Sequence, residues 1–152
     1  MMPQCTMATR RLWLTLVMVA AMLSSAFAQN IYEPARGTAE RKAILDAVRP
    51  KIEAEMRGPV EFVVGRLRAQ DGWAFAQLDP QRPGGTPINP AQTGWARDVD
   101  FMDGLTVWAL MRRTERGWFL IDAITGPTDV AFLHWPDVYG APRAIFGFPT
   151  GQ

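Results

Sequence analysis

The stretch PVEFVVGRLRAQDGWAFAQLD, residues 59–79, decides the fold of this chain. Two runs rich in β-branched and aromatic residues flank Asp71-Gly72, a pair that readily adopts the positive φ angles of a tight hairpin turn. The pattern therefore predicts a β-hairpin. The apolar alternation changes phase near Gly65, where we expect a β-bulge that restores the register.

The same design is repeated further along the chain, in VWALMRRTERGWFLI, residues 107–121. Its Gly117-Trp118 aligns with Gly72-Trp73 of the first copy, so the two copies predict four antiparallel strands. Strict alternation divides the fourth strand into one face with Trp118, Leu120 and Ile124 and a second face with Phe119, Ile121 and Ala123.

Before the first hairpin, residues 38–57 have the pattern of one amphipathic helix. Thr38 can cap its N terminus, and Gly58-Pro59 ends it. Its apolar residues recur at every fourth position: Ile44, Val48, Ile52 and Met56. Pro50 removes a backbone hydrogen bond, so we expect either a kink there or two abutting helices.

Both faces of the predicted sheet are apolar, so one helix cannot cover them both. The C-terminal segment is the first candidate for the second cover. Its large side chains are Phe132, Trp135, Tyr139, Ile145, Phe146 and Phe148. The alternative is a partner or a small apolar ligand on a face that carries Trp73, Trp108 and Trp118, and a second copy of the chain, giving a homodimer, is one such partner.

A long connection rich in proline and glycine, residues 79–103, links the two hairpins. Connections of this length are usually functional or mobile, and we expect this one to contain an edge strand around residues 93–99. Trp95 lies in it with Arg97 beside it, a pair suited to anchoring a protein or carbohydrate partner. We therefore predict Trp95 and Arg97, together with Trp108 and Trp118, as binding residues.

The first 28 residues have the order of a secretory signal peptide. Arg10 and Arg11 precede an apolar run at residues 12–23, and the small-residue site AFA follows at residues 26–28. The apolar run is shorter than the roughly 20 residues that span a bilayer. The pattern predicts cleavage after residue 28 and a mature chain, residues 29–152, that forms a single periplasmic or secreted domain.

The composition of the mature chain excludes several classes of function. It has no serine, no cysteine and one histidine, His134, which excludes the usual hydrolase nucleophiles and zinc sites rich in His or Cys. The 16 basic residues include Arg10 and Arg11 of the leader, so the mature chain has 14 basic against 15 acidic residues. This balance indicates neither nucleic acid nor an anionic membrane as a partner. No cofactor is predicted.

Two groups of titratable residues are candidate sites. Asp98, Asp100 and Asp103 lie close together, but the sequence around them fails the calcium-hand pattern, so no metal site is predicted.

The other candidates, for acid–base catalysis, are Asp122, His134 and Asp137. Burial beside apolar neighbours would raise the pKa of Asp122. The structural alternative is that hydrogen bonds, or an arginine such as Arg112, satisfy this carboxylate.

Three segments of the mature chain resemble a group of small exported proteins of Gram-negative bacteria to which no activity is assigned. They are the string from Glu40 to Asp79, the sequence GPTDVA at residues 126–131 and the sequence YGAPRA at residues 139–144. The resemblance brings no catalytic residues with it. The order of one helix and four antiparallel strands is also similar to cystatin-like folds, in which a sheet wraps one helix.

These features predict an α+β fold with one amphipathic helix packed on a four-stranded antiparallel sheet and a short C-terminal helical segment. The leading functional prediction is a small exported binding module, because the common nucleophiles are missing and apolar sheet surface is in excess. The alternative is a small enzyme that uses carboxylate and histidine chemistry in a pocket between sheet and helix.

Overall fold

A four-stranded antiparallel sheet forms the centre of the structure, a computed structural model that describes residues 30–148. Its strands, paired in chain order, are β1 (Glu61–Gln70), β2 (Trp73–Gln81), β3 (Val107–Thr114) and β4 (Gly117–Thr125). A long helix, α1 (Ala39–Met56), precedes the sheet and a short helix, α2 (Trp135–Tyr139), follows it. The predicted α+β fold is confirmed. The predicted leader, residues 1–28, and its cleavage site lie outside the described residues.

Both predicted hairpins are present, and their turns differ. In the first, Asp71 and Gly72 have φ angles of 53° and 73°, the positive values of a type I′ turn. In the second, Thr114 pairs with Gly117, and the Thr114 hydroxyl oxygen accepts a hydrogen bond from the backbone N–H of Arg116 at 3.2 Å. The hydroxyl therefore stabilises a turn that lacks the Asp-Gly pair.

The bulge predicted at Gly65 is confirmed. The register between β1 and β2 shifts between Val64 and Arg66. The inserted residue brings Leu67 and Ala69 onto the face that packs against α1. One continuous apolar face results.

A second bulge, in β4, makes the predicted faces of that strand wrong. Met111 of β3 pairs with Leu120, whereas the preceding Leu110 pairs with Asp122, so Ile121 is the extra residue. The β4 residues that pack toward α1 are Trp118, Leu120 and Ala123. Strict alternation fails beyond Ile121 because the extra residue shifts the rest of β4 by one position relative to β3. Ala123 and Ile124 therefore lie on the faces opposite to those predicted.

Helix α1 is capped at both ends. The Thr38 hydroxyl oxygen accepts a backbone N–H of the first turn at 3.2 Å, and Arg57 ends the helix in the left-handed region with φ of 54°. The helix continues through Pro50, so the expectation of two abutting helices is wrong. Val48 and Ile52 are fully buried on either side of Pro50, and their packing stabilises the helix despite the hydrogen bond that proline removes.

The sheet is covered on both faces. On one face α1 packs on a mainly aliphatic cluster, the helix-side core, whose fully buried members are Ile44, Val48, Ile52, Met56, Leu67, Ala69, Ala74, Ala76, Leu78, Val107, Ala109 and Met111. On the other face the C-terminal segment folds over a mainly aromatic cluster, the tail-side core, formed by Phe75, Leu110, Phe132, Trp135, Ala141, Ile145 and Phe146. The predicted second cover is therefore confirmed.

The long connection between β2 and β3 packs against the C-terminal end of α1. It contains two short 3₁₀ helices, Pro90–Gln92 and Val99–Phe101, and no strand between them. The edge strand predicted around residues 93–99 is therefore wrong. The backbone N–H of Gly94 donates to the carbonyl oxygen of Glu55 at 2.7 Å, and that of Gly84 donates to the Glu61 carboxylate of β1 at 3.2 Å. The connection therefore bonds to α1 and, near its start, to a side chain of β1.

Candidate functional site

Trp95 and Arg97, the predicted binding residues of the long connection, have different environments. Trp95 is half-buried against the helix-side core, and its Nε1 lies 3.4 Å from Glu55 Oε2. Thr125 Oγ1 donates to the same carboxylate oxygen at 2.7 Å. Glu55 thus ties the connection to α1 and β4, which gives Trp95 a packing role. Arg97 is exposed, and a binding role for this pair stays a prediction.

Trp108 and Trp118 lie on opposite faces of the sheet. Trp108 is part of the tail side, where its ring centroid lies 4.7 Å from that of Phe132. Trp118 pairs with Arg113 of β3 and packs on the helix-side core. The prediction that Trp73, Trp108 and Trp118 share one face is therefore wrong. Trp118 pairs with Arg113, which is five residues from Trp108 on β3 and so lies on the opposite face.

Aromatic side chains of the C-terminal segment occupy the face on which a small apolar ligand was expected. Phe75 of β2 lies 4.9 Å from Phe132 and 4.7 Å from Phe146 between ring centroids, distances at which aromatic pairs attract. Trp135 is fully buried in the same cluster. The chain itself supplies the apolar cover of this face.

Asp122, the strongest acid–base candidate, is partly exposed and hydrogen-bonded. The Tyr139 hydroxyl donates to Asp122 Oδ2 at 2.8 Å, and this bond is the main reason that the pKa of Tyr139 is raised above its usual value. The hydrogen-bonded alternative for Asp122 is confirmed. Arg112 instead lies over the Trp73 ring at 4.7 Å and donates to the Asp71 carbonyl oxygen at 2.7 Å.

His134 and Asp137, the other acid–base candidates, are both exposed. Asp137 accepts from Arg143 Nη1 at 2.8 Å. Neither residue, nor Asp122, is among the residues that line four of the surface cavities in the described part of the chain. Catalysis by these three residues stays a prediction.

One surface cavity, of about 490 Å³, follows the N-terminal half of α1. Its lining is net positive, with one carboxylate, Asp46, against four cations: Arg36, Arg41, Lys42 and Arg49. Asp46 accepts hydrogen bonds from Lys42 and Arg49, and the bond from Lys42 contributes most to lowering the pKa of Asp46. Arg41 donates to Glu33 at 3.1 Å.

The acidic residues of the long connection are exposed and separate. Within residues 30–148 no group of three or more His, Cys, Asp or Glu side chains could hold a metal ion. Asp98, Asp100 and Asp103 all face solvent.

The two outer edges of the sheet differ strongly, beginning with β1. The backbone of Tyr32 exchanges two hydrogen bonds with Ala69, at 3.0 and 2.8 Å. The strand also has the bulge at Gly65 and two half-buried arginines, Arg66 and Arg68. Short extra pairings, bulges and charged side chains are the features by which natural edges avoid pairing with other chains.

The outer edge of β4 has two such features, one charged residue and one bulge. Asp122 is its only charged residue, and the strand contains no proline. In the described part of the chain, no backbone group outside the sheet bonds to this strand. Two large apolar side chains on it are exposed, Phe119 by 45% and Ile121 by 39%. The bulge at Ile121 is the only irregularity, and it leaves a regular segment on either side.

Sequence reasoning missed both edges as functional surfaces. The sequence does contain a signal for the β4 edge. This nine-residue strand has a single charged residue, whereas β1 has a glutamate and two arginines. Which strands lie at the edges, however, follows only from the order of the sheet. The convergence of Arg66 and Arg68 on the C-terminal segment also depends on how that segment folds back.

Comparison with known proteins found no family model, no curated protein and no solved structure that matches this chain. Among residues 30–148 we find no helix with the length and hydropathy needed to cross a membrane.

Proposed function

We propose that this protein is a small exported interaction module, and that its docking surface is the outer edge of β4, on which a second copy of the chain docks. The observation that supports this proposal is the difference between the two edges of the sheet. Among the described residues, the β1 edge has a short extra pairing, a bulge and three charged residues. The β4 edge has a bulge and one charged residue, exposes Phe119 and Ile121, and bonds to no backbone group outside the sheet.

Unpaired backbone groups make the β4 edge suited to another strand. An edge strand presents a row of free N–H and C=O groups that an added strand can satisfy. Phe119 and Ile121 flank this row with exposed apolar surface, and burying that surface adds a favourable term to the hydrogen bonds.

The charge of β4 favours a second copy over a basic partner. Asp122 already accepts the Tyr139 hydroxyl at 2.8 Å, so its carboxylate does not require a cation from outside. Two identical strands paired antiparallel about a twofold axis supply both halves of the contact from the same residues. With one carboxylate in each strand, the repulsion between the copies is small.

Export is the other half of the proposal. It is supported by the positive patch at Arg10 and Arg11, the short apolar run that follows and the small-residue site at 26–28. The absence of cysteine from the mature chain means that folding in an oxidising compartment needs no disulfide. The likeness to cystatin-like folds stays a prediction drawn from the order of the elements.

The docking proposal is tested by measuring the mass of the mature chain, residues 29–152, by sedimentation equilibrium over a range of concentrations. The wild type is expected to approach twice the monomer mass. Ile121→Lys, which places a charge on the β4 edge, is expected to remain a monomer. The matched control is Val63→Lys, which changes a 50% exposed apolar residue on the β1 edge and is expected to dimerise like the wild type.

Three outcomes contradict the docking proposal: a wild type that is a monomer up to about 1 mM, an Ile121→Lys variant that still dimerises, or a Val63→Lys variant that does not. Circular dichroism of both variants shows whether each is folded before the masses are compared. The export proposal is tested by mass spectrometry of the protein from a periplasmic fraction, whose chain is expected to begin at Gln29. An intact leader on that protein contradicts the export proposal.

A further inference from the structure

Two guanidinium groups meet on the tail side of the sheet, beside the C-terminal segment. Arg66 and Arg68 are two residues apart on β1, so their side chains share a face. A methyl group in place of the Gly147 hydrogen would lie 2.9 Å from Arg68 Nη1 and 3.3 Å from Arg66 Nη1. Gly147 has φ of 79°, and its lack of a side chain allows both arginines to approach the same point.

Within residues 30–148 these two arginines have no carboxylate partner. The ion pairs of the described residues all involve other cations, namely Arg41, Lys42, Arg49, Lys51, Arg113 and Arg143. Arg66 Nη1 donates to the Phe146 carbonyl oxygen at 3.3 Å, and Arg68 has no hydrogen-bond partner among the described side chains and backbone. Both arginines are half-buried, where two like charges repel more strongly than in open water.

We propose that Arg66 and Arg68, beside Gly147, form a binding site for a phosphate group. Each guanidinium has five N–H donors in a fixed fork and can form a two-bond contact with an oxyanion. A phosphate has enough oxygens to contact both forks and up to two negative charges to match both cations. A carboxylate, with two oxygens and one charge, fills only one of them.

The backbone beside the two arginines is fixed by the tail-side core. The segment around Gly147 lies directly beside the tail-side core, in which Phe146 is buried, so the backbone against which the arginines converge is held by packing. The site is at the opposite edge of the sheet from β4. The inference therefore does not depend on dimerisation, and either proposal can fail without the other.

The site is tested by titrating the mature chain with inorganic phosphate at constant ionic strength, followed by NMR of the arginine side-chain N–H groups. One saturable site is expected. Arg68→Gln is expected to weaken binding at least about tenfold, since it removes charge-assisted hydrogen bonds. The matched control is Arg116→Gln, an exposed arginine in the second hairpin turn, which is expected to change the affinity less than about twofold.

Two further titrations identify the ligand class. Acetate is expected to bind at least about tenfold more weakly than phosphate, since it satisfies one fork. Glycerol phosphate that binds more tightly than inorganic phosphate indicates a phosphate ester as the ligand, and equal affinities indicate free phosphate. Either result supports the site.

A purely structural role for the arginines gives different results. In the absence of phosphate, Arg68→Gln is expected to leave the free energy of unfolding within about 0.5 kcal/mol of the wild type. Should Arg68→Gln fail to fold, Arg68→Lys keeps the inference testable, because it retains the charge, removes the planar fork and is expected to weaken binding.

Three results overturn the inference: no saturable binding up to about 10 mM phosphate, binding to Arg68→Gln and Arg68→Lys that equals that of the wild type, or an equal loss in Arg116→Gln. An equal loss in Arg116→Gln would mean that the affinity for phosphate depends only on the total charge of the protein.

Discussion

The two faces of the sheet are covered in different ways. On the helix side, a continuous 18-residue helix with its own backbone hydrogen bonds packs aliphatic residues against the strands. On the tail side, the cover consists of two four-residue 3₁₀ helices and one five-residue helix. Among the described residues, the backbone hydrogen bonds of this segment are all local, and none reaches the backbone of the sheet.

This difference shows where the stability of each cover comes from. Helix α1 has local structure that favours its position before any packing occurs, through its N-cap and apolar stripe. A five-residue helix has almost no stability alone, so the C-terminal segment depends on its aromatic side chains. Two side-chain hydrogen bonds, from Tyr139 to Asp122 and from Arg66 to Phe146, add to that packing.

The largest effect is expected from removing an aromatic ring on the tail side. Phe146→Ala is expected to lower the free energy of unfolding by about 4 kcal/mol, because it leaves a cavity among Phe75, Phe132 and Trp135. Urea unfolding measures the loss. Hydrogen exchange of the same variant is expected to show faster exchange in the C-terminal segment than in α1, since that segment is released first.

The matched variant on the helix side is Ile52→Ala, which removes a fully buried aliphatic side chain. We expect a loss of about 3 kcal/mol, shared by the whole domain and without selective exchange of α1. If Phe146→Ala cost less than about 1 kcal/mol, the C-terminal segment would contribute little to the core and the comparison would fail.

The same contrast explains which features the sequence predicts. The turn at Asp71-Gly72, the bulge at Gly65 and the cap at Thr38 depend on residues close in the chain, and all three agree with the structure. The C-terminal cover was predictable as well, because apolar surface on both faces of a sheet requires it.

Features that depend on distant partners were not predictable. The bulge in β4 is visible only from its register with β3, and it determines the faces on which Ala123 and Ile124 lie. The half-burial of Trp95 depends on Glu55, which is 40 residues away in the chain. Likewise, the two arginines of β1 converge only because Gly147 folds back beside them. No local pattern records these contacts.

A smaller effect is expected from the hydrogen bond that fixes the long connection on the helix side. Thr125 is buried, and its hydroxyl donates to Glu55, whose side chain is only 16% exposed. Thr125→Val keeps the shape but removes the donor, so we expect a loss of about 2 kcal/mol in urea unfolding.

A change in the fluorescence of Trp95 is expected to accompany this loss, because its Nε1 faces the same carboxylate oxygen. The control, Thr128→Val, alters an exposed hydroxyl that has no hydrogen-bond partner among the described residues and is expected to cost less than about 0.5 kcal/mol. Equal losses in the two variants would show that Glu55 does not connect the helix to the sheet and the long connection.

The smallest effect is expected at the corresponding hydrogen bond on the tail side. Tyr139→Phe removes the hydroxyl that donates to Asp122, and because both groups are partly exposed we expect a loss of about 1 kcal/mol at neutral pH. The double variant with Asp122→Asn is expected to lose little more than Tyr139→Phe alone, since the two residues contribute through the same bond.

The pH dependence of this loss tests its cause. The hydrogen bond to Asp122 raises the pKa of Tyr139 in the folded state above its usual value of 10.0, so the folded protein holds the phenolic proton more tightly than the unfolded chain. The contribution of the bond is therefore complete below pH 10 and is lost as the pH rises through the raised pKa. The difference in stability between the wild type and Tyr139→Phe is expected to shrink over that range.

The chain has only two tyrosines, Tyr32 and Tyr139, so the absorbance of tyrosinate in Tyr139→Phe reports Tyr32 alone, and its difference from the wild type gives the titration of Tyr139. A Tyr139 that ionises at its ordinary pKa, or a stability difference that does not change above pH 10, would contradict the bond. In that case aromatic packing and the hydrogen bond from Arg66 to the Phe146 carbonyl oxygen would hold the C-terminal segment on the sheet, and the contrast between the two covers would be sharper than the structure shows.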